Sequence, residues 1–143
     1  MIRFLLPFLA ACILAGSRPA LAPQEQDKTP LMLEMEKLDA ALEALKLGIR
    51  DPTKDAASLE QIVLAQQACL NCKQMTPKMA PNVPEAERAK FLTDYRKGLA
   101  AALIELAKLE TALLDGDRDQ ARALWRKIEE MEEEGHNTFT EGE

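Results

Sequence analysis

Apolar residues recur along this chain at spacings of three and four, the period of a helix face, and no window alternates as a strand does. Thr29 as cap and Pro30 at the first helical position open a first run. Its stripe is Leu31, Met35, Leu38, Leu42, Leu45 and Ile49, stopped by Gly48 and Asp51-Pro52. A second helix is predicted from around residues 54–58 to about Met75, on the weaker stripe Leu59, Ile62, Val63, Gln66, Cys69, Leu70 and Lys73. Thr76-Pro77 ends it, and the proline-bearing stretch 80–84 is predicted to be non-helical. The third runs from Pro84-Glu85 to Leu114 through Leu92, Tyr95, Leu99, Leu103, Leu106, Leu109 and Leu113. Gly116 terminates it, and Asp117 with Gln120 forms the start signal of a fourth. The apolar side of that helix is read as Ala121, Leu124, Trp125, Ile128, Met131 or Glu132, and His136. Four amphipathic helices with short connections predict an all-α fold, an antiparallel up-down-up-down four-helix bundle over residues 30–140.

Composition agrees with this pattern. Aromatics are only 4 % of the chain, while the straight-chain helix formers Leu, Ala, Glu and Lys abound. A net charge of −6 argues against nucleic acid or an anionic membrane surface as partner. Residues 1–22 read as an export signal with a basic start at Arg3, an apolar run Phe4–Ala15 and an Ala20-Leu21-Ala22 cleavage site. That run is too short to span a bilayer, so the mature chain is expected to have no membrane span and to reside in the periplasm. Pro23 disfavours cleavage just before it and makes Ser17 an alternative end. Leu9-Ala10-Ala11-Cys12 gives a lipoprotein alternative, and residues 23–29 are read as a polar linker.

Up-down connectivity brings Met35, Cys69, Cys72, Met75, Tyr95 and His136 to one end of the bundle. His136 is the only histidine. That excludes a di-iron carboxylate centre, for which Glu133 and His136 supply only half, and leaves Ser-His-Asp or Cys-His catalysis without a supporting motif. Asp115-x-Asp117-x-Asp119 lacks the glycine and final glutamate of a calcium loop. One candidate pair is Met35 and His136, a thioether and an imidazole that up-down topology lets face each other across the bundle interior, as the axial ligands of a low-spin haem do. Standing alone, Met35 reads first as core filler and His136 as a favourable charge at a helix C-terminus.

From Leu31 onward the chain resembles the cytochrome b562 family. Met35-Glu36-Lys37-Leu38 stands where that family's ligand methionine lies early in helix 1, and His136-Asn137-Thr138-Phe139 where its ligand histidine precedes an aromatic. Phe91 to His136 follows the family without a gap. Tyr95-Arg96-Lys97-Gly98 matches an aromatic-Arg-x-Gly segment, Leu113-Leu114-Asp115-Gly116 the turn before helix 4, and Thr76-Pro77 the end of helix 2. About four extra residues fall in the first inter-helix region, where length changes are tolerated. Glu132, Glu133 and Glu134 stand where basic residues surround the family's histidine. The resemblance implies one non-covalent haem b, with iron ligated by Met35 and His136 and a wall from Tyr95 and Leu99. It also implies one-electron transfer with redox partner proteins rather than enzymatic turnover.

Cys69-Leu70-Asn71-Cys72 has the spacing of a covalent haem motif, but Lys73 stands where histidine is required. A disulfide or free thiols come first for this pair, and a thioether to haem second. Cys69, Cys72, Met75 and Met79, with Met32, Met35 and His136, offer the soft donors of a copper-binding bundle, the alternative function.

Overall fold

The computed structural model describes residues 28–140, and all of the regular structure in them is helical. The export signal, Cys12 and most of the linker lie outside the described residues. Helix α1 spans Pro30–Gly48, α2 Asp55–Cys72, α3 Glu85–Leu114 and α4 Arg118–Phe139. Single 3-10 turns at Pro52–Lys54 and Ala80–Asn82 interrupt the connections. The second corrects the expectation that residues 80–84 lack helical structure, since prolines are compatible with one short turn. Helix α2 stops at Cys72, three residues short of the expected Met75.

The starts follow the sequence signals. Thr29 accepts a hydrogen bond from the Met32 amide, and Asp117 accepts one from the Gln120 amide. Gly116 adopts φ 72° at the turn between α3 and α4, a left-handed conformation that glycine alone enters without strain.

Helix α1 packs on α2, α2 on α3 and α3 on α4. The core is built from Leu42, Leu45 and Ile49 of the α1 segment, Ile62 and Cys69 of α2, Leu106 and Leu109 of α3, and Trp125 and Ile128 of α4. Truncating a fully buried leucine such as Leu45 or Leu109 costs about 2–5 kcal/mol through lost transfer energy and the cavity left behind. Helix α2 buries only part of the stripe its apolar residues suggest: Ile62 and Cys69 are sealed, and Leu59, Gln66 and Lys73 are half-buried. Val63 and Leu70 are exposed, while Ser58, Ile62, Ala65, Ala68, Cys69 and Cys72 are buried. Small side chains on that face let α2 approach both α1 and α3 closely. Packing overrides hydropathy here.

Polar ties fix the helix ends. The Arg118 guanidinium donates to the Ile49 carbonyl and pairs with Asp55, joining the α1–α2 connection to the start of α4. Arg88 donates to the Ala80, Pro81 and Val83 carbonyls and holds the second 3-10 turn against α3. Asn71 donates to Glu34 at 2.8 Å and Gln66 to Glu110 at 2.8 Å. Glu105 is buried yet paired, accepting from Lys108 at 2.9 Å and Lys127 at 2.8 Å. Those bonds hold its carboxyl below the ordinary 4.5.

Two outcomes are expected from denaturation. A depressed native pKa means that the Glu105 contribution is present above the ordinary value and is lost as pH falls through the native one. Glu105→Ala should therefore cost about 1–2 kcal/mol at pH 7, and its deficit against wild type should shrink in strongly acidic buffer. Ser58, whose buried hydroxyl has no hydrogen-bond partner, gives the opposite sign: Ser58→Ala should stabilise the fold by about 1 kcal/mol in urea melts.

Candidate functional site

Three polar side chains, Asp39, Glu132 and His136, converge where α1 and α4 face each other, one turn along α1 from Met35. Met35 is half-buried and packs against the core near the start of α1. Asp39, one turn further along the same face, points at α4 and lies 3.9 Å from the His136 Nε2. Glu132, one turn before His136, completes a group in which one oxygen of each carboxylate and an imidazole nitrogen lie within 4.8 Å of one another.

The imidazole itself is 50 % exposed, which corrects its placement on the buried side of α4. Ile128 is the last fully buried residue of that helix; beyond it the apolar stripe gives way to Met131, Glu132 and Gly135, and returns only at Phe139. His136 sits in the last turn at the rim, where its carbonyl is occupied by Thr140. The side chain turns to the nearest carboxylate rather than to the interior. Burial holds the Asp39 and Glu132 carboxyls above their ordinary range; Glu36 adds to the rise at Asp39, Asp39 and Glu43 add to it at Glu132, and His136 opposes both.

The interior wall at this end is aromatic. The Phe139 ring packs edge-on against Phe91 and Tyr95, with centroids 5.4 and 5.5 Å away. Tyr95 is 3 % exposed and Leu99 9 %, and both belong to the buried core. The Tyr95 hydroxyl donates to the Cys72 carbonyl at 3.0 Å. That bond gives a buried hydroxyl its acceptor and occupies a C-terminal carbonyl of α2. Burial also pushes the Tyr95 phenol up.

Cys69 and Cys72 are free, buried thiols in the same core cluster. Burial pushes Cys69 up to about 12 and Cys72 to about 11, the latter helped by the charges of Glu34 and Asp39. They do not join His136 in a three-donor group among the described residues. Of the other candidate soft ligands, Met32 is 38 % exposed, Met75 lines a shallow cleft of about 430 Å³ with Pro30 and Leu33, and Met79 lies outside the four helices. The structure therefore gathers Tyr95, Leu99 and the two cysteines in one core with Met35 packed against it, leaves His136 at the rim beside Asp39 and Glu132, and sets Met75 in a separate cleft.

Sequence reading missed Asp39. The available signal was its position four residues after Met35, between Leu38 and Leu42, where a charge interrupts the margin of an apolar stripe. Glu132 was visible but its direction was not.

Comparison with protein-family models, with curated proteins and with solved structures finds no match to this chain. No helix of the described residues is long and apolar enough to cross a membrane.

The thiols supply a direct test of this geometry. Because thiolate is the reactive form, native reduced protein at pH 8 should react with iodoacetamide on the order of 10²-fold more slowly than urea-unfolded protein. Equal rates, read by mass spectrometry at Cys69 and Cys72, contradict their burial.

Proposed function

We propose that this chain is an exported b-type cytochrome, an antiparallel up-down-up-down bundle that carries one electron at a time in the periplasm. The observation that carries the reading is the position of Met35 and His136 on the two helices that flank one seam, at the end lined by Tyr95, Leu99 and Phe139. Cross-helix ties support the antiparallel arrangement. Glu34 near the start of α1 meets Asn71 near the end of α2, Tyr95 early in α3 meets Cys72, and Phe139 at the end of α4 meets Phe91 and Tyr95.

The donor set suits haem b: a thioether and an imidazole are ligands of low-spin iron and raise its potential. Met35 from α1 and His136 from α4 would hold the haem, and a bound haem would supply a reversible Fe(III)/Fe(II) couple. For this, the half-exposed imidazole would have to rotate from Asp39 toward the seam. Tyr95, Leu99, Leu38 and Ile128 keep water from the interior. Tyr95 is positioned by its bond to the Cys72 carbonyl, which keeps its ring upright in the wall. With both axial positions taken by protein there is no open coordination site for a substrate, so electron carriage is favoured over catalysis, and redox proteins are the expected partners.

A visible spectrum of protein from an exporting host, with a pyridine haemochrome assay and acid-acetone extraction, tests the assignment. Wild type should show a low-spin spectrum with extractable haem. Met35→Ala should retain haem through His136 but shift it toward high spin, and His136→Ala should lower hemin affinity at least tenfold. Failure of the folded apoprotein to take up hemin, or a His136→Ala variant with an unchanged low-spin spectrum, removes this function.

A further inference from the structure

We propose that Asp39, Glu132 and His136 form a binding site for one divalent transition-metal ion of the Zn(II) class on the outer edge of the α1–α4 seam. The geometry is that of an unclosed chelate. Glu132 and His136 lie on successive turns of α4, four residues apart, so their side chains share one face. Asp39 reaches across from α1, and all three donor atoms already lie within 4.8 Å of one another. Ligation at 2.0–2.2 Å sets neighbouring donors about 3.3 Å apart, a contraction that side-chain rotation can supply at partly exposed positions.

Charge gives an independent reason. Neither Asp39 nor Glu132 has a lysine or arginine nitrogen within 4.0 Å among the described residues. By contrast Glu34, Asp55 and Glu105 each face a cation. Glu36 and Glu43 add further negative potential from α1. Besides His136, Lys46 is the one basic side chain whose field reaches Glu132, and its ammonium pairs with Glu43 and Glu129. Two half-buried carboxylates therefore face an imidazole with no ammonium in direct contact, and a dication would neutralise the group.

The donors select the ion class. One imidazole nitrogen favours Zn(II), Co(II) or Ni(II) over Ca(II) and Mg(II), which require six or more oxygen ligands or their own hydration shell. Three protein donors leave at least one position for water, so the site is open rather than purely structural. His136 is common to this site and to the haem reading, but the metal site uses the outward imidazole that the structure already displays. It stands whether or not haem binds. Where both ions are offered, metal and haem compete for one side chain.

The test is titration of the metal-free, reduced full-length mature chain with Co(II), followed by absorption, and with Zn(II), followed by calorimetry. One equivalent should bind, and Asp39→Asn and Glu132→Gln should each weaken binding at least tenfold while circular dichroism stays unchanged. A Cys69→Ala/Cys72→Ala variant of unchanged circular dichroism should bind as wild type does. Absence of one-equivalent binding overturns the proposal, as does binding lost with the two thiols and retained without the carboxylates. Failure of the protein to take up hemin leaves each of these outcomes unaffected.

Discussion

The sealed apolar positions of α4 end at Ile128, with only the half-buried Met131 and Phe139 beyond it, and the arrangement of this end of the bundle depends on that thinning. Three helix pairings, α1 on α2, α2 on α3 and α3 on α4, supply most of the buried core. Opposite the upper half of α1, α4 has polar side chains to offer. Leu31, Met35 and Leu38 are consequently only half-buried, whereas Leu42, Leu45 and Ile49 below them are sealed. Phe139 closes the end by packing on α3. A chemically versatile strip is left between two helices that hydrophobic burial alone does not hold together.

Elsewhere the chain closes its helix ends with side chains borrowed from the next element. Tyr95 of α3 reaches the last carbonyl of α2, Arg118 of α4 reaches the carbonyl after α1, and Arg88 gathers three carbonyls of the α2–α3 connection. Helix termini expose unsatisfied groups, and leaving them dry would cost more than each bond returns in isolation. These ties also register the helices against each other, so the strip between α1 and α4 inherits its geometry from contacts far from it. Cys72 illustrates the coupling: its carbonyl positions an aromatic wall residue while its thiol is sealed in the core.

His136 is the side chain that both proposed sites share. For the proposed haem the imidazole would turn inward to the Met35 side of α1; in the structure it meets Asp39 and Glu132. The first environment is apolar, as the proposed haem requires. The second is negative and suits a small cation. Few positions in a bundle offer both, because a residue must sit at the point where a stripe fades without yet being a loop.

The sequence by itself determined the four helices, their caps and most of the residues of α1 and α3 that face the core, because a 3.6-residue period and capping chemistry are local properties. Thr29, Gly116 and Asp117 were legible as punctuation, and Tyr95 and Leu99 as buried positions. Tertiary structure alone decided the rest. The buried face of α2 follows from how closely small residues let its neighbours approach, which leaves Val63 and Leu70 outside despite their hydropathy. The outward turn of His136 and its meeting with Asp39 depend on a helix almost a hundred residues away in sequence, and on where one stripe runs out against another. Periodicity can say which side of a helix is apolar; it cannot say which charge from a distant helix will be waiting at its edge.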